Sequence, residues 1–163
     1  MDNDNKFQER KRNRLKDYNY NSSGAYFITI CTQNRKNILS TIVGEDMILP
    51  QLTPYGEIVD EAINAIPKHY PHIKLLQYVI MPNHIHVILF IPYDGGRMIS
   101  SPTSILTVVG QMKRYVSKKV GMAIWQKSFH DHIIRDKNDY EKISRYIHEN
   151  PIKWRYDCLY TEE

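Results

Sequence analysis

The sequence predicts an α+β fold in which one largely antiparallel sheet is covered by helices mainly on one face. Segments of β-strand composition and segments of helical periodicity intermix along the chain, so both kinds of element belong to the same unit. Two predicted strands, at about 73–81 and 84–92, are separated only by Pro82 and Asn83. A connection this short cannot hold a helical crossover, so these strands must run antiparallel. The 163 residues are enough for one domain with its own core.

The first predicted strand covers 25–32 and reads AYFITICT, a β-branched and aromatic run that follows the chain-breaking segment NSSG. A short second strand is expected at DMIL, residues 46–49. Residues 55–66 then place apolar side chains at helical spacing between Pro54 and Pro67. This segment is predicted to be an amphipathic helix packed on the sheet.

A further helix, strand and helix follow the strand pair. A loop rich in Gly, Ser and Pro at 93–104 leads into a helix at about 103–120, which ends at a glycine. Residues 124–135, IWQKSFHDHIIR, have the composition of another strand. The last helix is predicted at 139–150, because the proline that follows would stop it.

Composition bounds the class of protein. Hydrophobic residues make up 42% of the chain and charged residues 25%, which is typical of a globular protein and argues against a disordered or fibrous one. No apolar run approaches the roughly 18–20 residues that cross a bilayer, and the first residues lack the apolar stretch of a signal peptide. We therefore expect a cytoplasmic protein without membrane contact. Cys31 and Cys158 have no metal-site spacing and are interpreted as reduced, structural residues.

The 22 Lys and Arg residues outnumber the 18 Asp and Glu residues and are concentrated in two clusters. We divide the chain into a basic N-terminal arm, 1–20, a folded domain, 21–155, and a C-terminal tail, 156–163. One cluster lies in the arm and the other on the helix at 103–120, and each is either a phosphate-contact surface or simply solvated charge. The candidates for phosphate contacts are Arg10, Arg12, Arg14, Lys113 and Lys118.

Two histidines stand in the segment YVIMPNHIHVILF, residues 78–90. Because side chains alternate along a strand, His84 and His86 share one face, and the opposite face is aliphatic and is predicted to be the core side. We expect the pair at the start of the strand, where the margin of the sheet meets solvent. Two neutral imidazoles there could share a metal ion. Alternatively, each ring only donates a hydrogen bond to a backbone carbonyl.

A metal ion held by two histidines would keep most of its coordination positions open. An octahedral Mg²⁺ or Mn²⁺ would use them for water, another protein oxygen and substrate phosphate, which is typical of a catalytic rather than a structural site. His130 and His132 have the same spacing, but Asp131 between them stands where a buried strand would carry an aliphatic residue. This second pair therefore ranks below the first.

The last helix adds two polar candidates. Tyr140, Ile143 and Ile147 define its buried stripe, and Tyr146 and Asn150 lie at the margin of that stripe, one turn apart. A tyrosine in this position is most often an amphipathic residue with its hydroxyl in water. Periodicity alone therefore leaves a catalytic role open.

Three segments together resemble a known family. YVIMPNHIHVILF is similar to the His-hydrophobic-His strand of the HUH nucleases. IWQKSFHDHIIRD followed by YIHENPIKW resembles the C-terminal signature of the REP-associated tyrosine transposases, relatives of the single-tyrosine transposases of small insertion sequences. The resemblance runs in order from about Arg12 to Trp154 and includes GAYFITICTQNRK, so it covers nearly the whole chain.

The resemblance implies a ferredoxin-like sandwich and assigns roles to particular residues. His84 and His86 correspond to the metal ligands, and Tyr146 corresponds to the nucleophile. Asn150 stands where the family supplies a third polar ligand, a position that is commonly Gln in the insertion-sequence enzymes. No other cofactor besides a divalent ion, Mg²⁺ or Mn²⁺, is implied.

The function implied by the resemblance is that of a metal-dependent endonuclease and strand transferase acting on single-stranded DNA beside REP-like hairpins. Tyr146 would attack a phosphodiester as a phenolate, giving a 5′-phosphotyrosine linkage and a free 3′-OH. The protein would be a monomer or a homodimer, and we prefer the monomer. Tyr78, Tyr115 and Tyr140 are rival nucleophiles, but we expect them to pack rather than react.

Two other functions remain open from the sequence. The same fold could hold a DNA hairpin without cutting it, as a noncatalytic binding protein. A metal-dependent hydrolase of small phosphoesters would also use a histidine pair, but it gives no reason for the basic arm.

Overall fold

The computed structural model describes residues 18–43, 50–93, 95 and 103–162. Within these residues, one antiparallel sheet contains the strands β1 (Gly24–Cys31), β4 (Lys74–Ile80), β5 (His84–Ile91) and β6 (His130–Ile134). A separate two-stranded sheet pairs β2 (Ser40–Thr41) with β3 (Gln51–Leu52). The α-helices are α1 (Pro54–His69), α2 (Ile105–Val120) and α3 (Lys137–Glu149), and short 3₁₀ helices cover Gln33–Arg35 and Trp154–Tyr156.

The main sheet has the strand order β4-β5-β1-β6. Along the chain its elements follow as β1, α1, β4, β5, α2 and β6, which is the β-α-β-β-α-β succession of a ferredoxin-like fold. The predicted fold class is therefore confirmed. Strands β4 and β5 are antiparallel, as the short connection at Pro82 requires. Strand β1 also runs antiparallel to both of its neighbours, β5 and β6.

The two faces of the sheet are covered unequally. Helices α1 and α2 pack on one face, where alternate residues of β5, beginning with Ile85 and Val87, join the larger apolar core. The opposite face carries α3, whose Ile147 packs with Ile88 and Trp154 in a smaller core. The prediction of helices mainly on one face is confirmed, and the minority face is the one that carries the histidines.

Some element bounds differ from the sequence prediction. The strand expected at 124–135 is shorter and begins at His130, because Trp125 forms only an isolated bridge with Thr32 before the chain turns toward β6. Helix α3 begins before the predicted 139, since the Asp136 side chain caps it by accepting a hydrogen bond from the backbone N–H of Asp139. Across the described part of the chain, none of the helices is long and apolar enough to cross a membrane.

Two sets of sequence predictions fall outside the described residues. The short strand expected at 46–49 is one of them, although β3 begins close behind it. The phosphate-contact candidates of the N-terminal arm are the other set: Arg10, Arg12 and Arg14.

Candidate active site

The histidine pair lies at the start of β5, in the interior of the sheet between β4 and β1. Cys31 of β1 is paired with His84, and Thr29 is paired with His86. The two histidines are 0% and 2% exposed, so the expectation that they meet solvent at a sheet margin is wrong. The reason is the cover supplied by residues after β6: the Trp154 ring lies 5.8 Å from the His84 ring, and the Tyr146 ring lies 5.1 Å from the His86 ring.

Hydrogen bonds fix the orientation of both imidazoles. Asn83 Nδ2 donates to the Leu159 carbonyl at 2.8 Å, so its Oδ1 is an acceptor, and it lies 2.8 Å from His84 Nδ1. His84 Nδ1 therefore carries the proton, and its Nε2 presents a lone pair. His86 Nδ1 lies 2.8 Å from Thr29 Oγ1. The two Nε2 atoms face each other at 3.0 Å.

Asn83 is the link between the histidines and the C-terminal segment. It is fully buried, and besides the Leu159 carbonyl its Nδ2 contacts Thr161 Oγ1 at 3.1 Å. Its backbone carbonyl accepts the N–H of Thr32 at 2.9 Å. One side chain thus holds the His84 ring and residues of the tail in a single hydrogen-bonded network.

We expect Asn83→Ala to lower the free energy of unfolding by about 2–4 kcal/mol, because it removes several hydrogen bonds and leaves buried polar groups without a partner. Urea unfolding measures this change, and the exposed Asn138→Ala is the matched control. A loss no larger than that of the control would contradict the role assigned to the Asn83 amide.

Tyr146 and Asn150 meet at the same acceptor. The Tyr146 hydroxyl donates to Asp157 Oδ2 at 2.9 Å, and Asn150 Nδ2 donates to the same oxygen at 2.5 Å. Tyr146 is 39% exposed and stands at the surface, whereas Asn150 is 2% exposed and faces the buried histidines. The structure thus brings together all four residues singled out in the sequence: His84, His86, Tyr146 and Asn150.

Asp157 is the residue that sequence analysis missed. One ligand atom from each of His84, His86 and Asp157 lies within 4.8 Å of the other two. Asp157 follows the short Trp154–Tyr156 helix and belongs to the segment interpreted as a tail. Neither periodicity nor a motif marks it, because only the fold carries this segment back over the start of β5.

The titration behaviour of the site follows from burial and from Asp157. Burial lowers the pKa of His84, although the negative charge of Asp157 acts in the opposite direction. Burial and the neighbouring His84 lower the pKa of His86 well below its ordinary value. Burial, and then the hydrogen bond to Asp157, raise the pKa of the Tyr146 hydroxyl. Burial alone would raise the pKa of Asp157, but hydrogen bonds from Leu159, Asn150 and Tyr146 lower it.

In metal-free buffer we expect the histidine pair to make stability depend on pH. Folding lowers the pKa values of both histidines, so as the pH falls the unfolded chain takes up protons before the folded chain does. The free energy of unfolding is therefore highest above about pH 6.5 and decreases as the pH falls below that value. Each ring lowers the free energy of unfolding by up to about 1.4 kcal/mol per pH unit within this window. Urea unfolding at pH 7 and pH 5 should show a smaller loss for His84→Gln than for the wild type. The exposed His148→Gln is the control, and equal losses in all three proteins would contradict the expectation.

The donor set at the centre of the site fits a divalent cation. The 3.0 Å between the two Nε2 atoms can be bridged by an N–H of His86 that donates to His84, or by a cation that binds a lone pair of each ring. The same distance separates adjacent ligands of an octahedral ion with bonds of about 2.1 Å. Asn150 Oδ1 is buried and has no hydrogen-bond partner among the described residues. Asp157, whose ligand atom lies within 4.8 Å of those of both histidines, is the other oxygen donor at the site, and a ligand role for Asn150 stays a prediction.

A cleft of about 420 Å³ opens beside the site, with Tyr146 and His86 on one wall. Arg35, Phe129 and His130 line other parts of it. Arg35 lies in a tight turn at φ +53°, a left-handed conformation that is uncommon for residues other than glycine. The cleft therefore brings the partly exposed Tyr146 side chain and the Arg35 cation to one accessible space.

The remaining predicted residues lie elsewhere. Tyr78 and Tyr115 bond to Asp60 and Glu61 of α1, on the sheet face opposite the histidines. Contrary to the expectation that it packs, Tyr115 is 44% exposed. Tyr140 packs in the smaller core.

The two described phosphate-contact candidates lie on α2. The Lys113 ammonium donates to the carbonyls of Gln126, Lys127 and Ser128, at 2.7, 3.3 and 3.4 Å. Lys118 is exposed in the last turn of α2. Phosphate contacts by these two lysines stay a prediction.

Comparisons with known proteins agree with this architecture. Residues 20–150 match the family described as Transposase IS200 like. The chain is 33% identical to an uncharacterized protein of Haemophilus influenzae, with 94% of each chain covered. It is 27% identical to the REP-associated tyrosine transposase of Escherichia coli, covering 82% of this chain and 70% of that one.

A solved structure shares the fold. A REP-associated tyrosine transposase bound to a REP hairpin superposes with a TM-score of 0.64 and 22% identity, covering 88% of this chain and 76% of that one. The ferredoxin-like core, with the histidine site at the start of β5, thus occurs in a chain whose sequence matches one family over most of its length. The chain therefore belongs to the IS200-like transposases, in the group of the REP-associated tyrosine transposases.

Proposed function

We propose that the protein is a transposase-type nuclease that cuts and rejoins single-stranded DNA beside a hairpin through a covalent bond to Tyr146. The observation that carries the proposal is Tyr146, a 39% exposed side chain that lines the cleft together with His86 and whose hydroxyl donates to Asp157 at 2.9 Å. A tyrosine that only packs would not need a half-buried carboxylate, a buried amide and two buried imidazoles around it.

The chemical step is a transesterification at phosphorus. Tyr146 Oη bonds to the phosphorus, the bond from phosphorus to the 3′ oxygen breaks, and that oxygen takes a proton from water, so the products are a 5′-phosphotyrosine and a free 3′-OH. Since burial and Asp157 raise the pKa of Tyr146, the hydroxyl is protonated before the reaction. Asp157 Oδ2 already accepts that hydrogen bond and is the group positioned to take the proton as the oxygen attacks. The reverse reaction by a 3′-OH rejoins the strand without an external energy source.

His84, His86 and Asn150 are the residues that would hold a divalent ion, with Asp157 turning the Asn150 amide so that its Oδ1 faces the pair. When bound, Mg²⁺ or Mn²⁺ supplies Lewis-acid polarisation of the phosphate and orients it for in-line attack. The low pKa values of both rings keep them neutral, as metal ligation requires, throughout the physiological range.

The substrate is proposed from the chemistry of the cleft and from relatives. Arg35, which lines the cleft, offers a bidentate contact to a phosphate. A solved relative carries a REP hairpin, which supports a hairpin next to the cleavage point. We propose a monomer in solution, which gel filtration with a crosslinking control tests.

The second candidate function, a hairpin-binding protein without cleavage, is favoured by no particular contact but shares the same fold. The test is incubation with labelled hairpin DNA that carries single-stranded flanks, with Mg²⁺ or Mn²⁺, followed by a denaturing gel. A metal-dependent band of DNA bound covalently to protein is expected. Tight binding of the hairpin without any covalent band would favour the binding protein.

A further inference from the structure

A second depression lies on the other side of Tyr146, on the outer face of α3. We call it the α3 groove; it has a volume of about 260 Å³ and adjoins Asn150 and Asp157. Its other lining residues are Lys142, Arg145, Glu149, Lys153 and Tyr156. Tyr146 therefore separates two concave surfaces, and a strand bound at its hydroxyl must leave the site over one of them on each side.

Tyr156 is presented to solvent in an unusual way. It is 90% exposed, more than any other large hydrophobic side chain that the structure describes. Its backbone is nevertheless fixed, since its N–H donates to the Lys153 carbonyl at 2.9 Å and the preceding Trp154 is buried in the smaller core. The ring thus projects from a rigid turn that directly precedes Asp157. An exposed aromatic ring on a fixed backbone is a preorganised stacking surface.

The cations of the groove are available for phosphates. Lys142, Arg145 and Tyr146 lie at i, i+3 and i+4 on α3, so their side chains share one face of the helix. Among the described residues, neither Lys142 nor Arg145 forms an ion pair, whereas Lys153 is paired with Glu149 at 2.5 Å. Two unpaired cations and one stacking ring therefore flank the hydroxyl within a single groove.

We propose that the α3 groove binds the single-stranded flank of the DNA, with Tyr156 stacking on a base and Lys142 and Arg145 contacting phosphates. The proposal rests on the single-stranded substrate proposed above and assigns it a path next to Tyr146. Positive charge that follows the backbone, together with exposed rings for the bases, is the general arrangement of surfaces that bind single strands without reading their sequence.

The test is DNA affinity, measured by fluorescence anisotropy in metal-free buffer on Tyr146→Phe protein, so that no cleavage intervenes. The probes are a hairpin with single-stranded flanks and the same hairpin with blunt ends. Adding Tyr156→Ala should weaken binding of the flanked hairpin at least about fivefold, while binding of the blunt hairpin stays unchanged. Tyr156→Phe should restore the affinity, because stacking needs the ring and not the hydroxyl.

The matched control is Tyr93→Ala. Tyr93 is 78% exposed but lies beyond the far end of β5, and the strand from His84 to Ile91 alone spans about 23 Å. Its removal should change neither affinity. If Tyr93→Ala lost as much affinity for the flanked hairpin as Tyr156→Ala does, any exposed tyrosine would contribute and the proposal would be overturned. The proposal would also be overturned if Tyr156→Ala lost equal affinity for the flanked and the blunt hairpin.

The salt dependence tests the cations separately. Arg145→Gln and Lys142→Gln should each lower the slope of log affinity against log salt for the flanked hairpin by about 0.7, the value for one phosphate contact on a single strand. Lys137→Gln, an 87% exposed position at the start of the same helix, should leave the slope unchanged. Unchanged slopes in both groove variants would overturn the assignment of phosphates to them.

The outcomes separate this inference from the proposed function. If the wild type forms a covalent adduct but Tyr156→Ala binds the flanked hairpin normally, the groove assignment fails and the nuclease stands. If no adduct forms while Tyr156→Ala selectively weakens binding of the flank, the groove is correct and the cleavage mechanism fails.

Discussion

Tyr146→Phe is expected to abolish the covalent DNA adduct, with a loss of about 10⁴-fold or more in the rate of cleavage, since the substitution removes the attacking oxygen. It should leave DNA affinity within a few-fold of the wild type, because the ring that packs beside His86 and Phe27 remains. The cost in stability should not exceed about 1 kcal/mol, the value of one hydrogen bond at a half-exposed position. A denaturing gel with labelled hairpin DNA gives the adduct, and anisotropy gives the affinity.

Tyr115→Phe is the matched control for this prediction. Tyr115 is exposed to a similar extent, at 44%, and its hydroxyl also donates to a carboxylate, Glu61, at 3.1 Å. It lies on the opposite face of the sheet and should retain full adduct formation. An adduct that persists in Tyr146→Phe, or that disappears in Tyr115→Phe, would show that another group attacks.

His84→Ala is expected to reduce formation of the covalent DNA adduct as strongly as Tyr146→Phe does, but through the loss of metal binding. Removing one of two facing imidazoles leaves His86 and Asn150 with too few ligands to hold a divalent ion, so the affinity for Mn²⁺ should fall at least about 100-fold. The adduct should then be lost at any usable metal concentration, as it should be when EDTA is added to the wild type. Electron paramagnetic resonance titration of Mn²⁺ measures metal binding independently of DNA.

The His132→Ala variant controls for the loss of an imidazole on the same face of the sheet. His132 Nε2 pairs with Asp139 at 2.8 Å and is half exposed. This variant should bind Mn²⁺ and form the adduct as the wild type does. If His84→Ala bound Mn²⁺ with unchanged affinity, the pair would be a structural hydrogen-bonded unit and the proposed metal role would be wrong.

Local patterns in the sequence predicted much of this architecture. The two-residue period of β5 placed His84 and His86 together opposite an aliphatic face, and this placement is confirmed. The turn-long spacing on α3 placed Tyr146 beside Asn150, and both donate to one oxygen. Which side chains share a face follows from the regular geometry of a single strand or helix, so it can be predicted without knowledge of the fold.

Other features depend on contacts between distant segments. The burial of the histidines could not be predicted, because it depends on Trp154 and on the chain beyond it. Asp157 has no local signal, and its role arises only where that segment crosses β5. The left-handed backbone conformation of Arg35 likewise has no signal in the sequence, and its carbonyl accepts a hydrogen bond from Asn83 Nδ2 at 3.4 Å.

The hydrogen bonds of Asn83 also determine how the site can come apart. Its amide joins His84 to Leu159, a partner 76 residues away along the chain, and Asp157 in the same segment holds Tyr146 and Asn150. A local opening of residues 157–161 would release the imidazole, the amide and the hydroxyl in one event, before the sheet unfolds. The candidate site therefore behaves as a single cooperative unit that is either fully assembled or not assembled, and the protection of its amides against hydrogen exchange should rise and fall together.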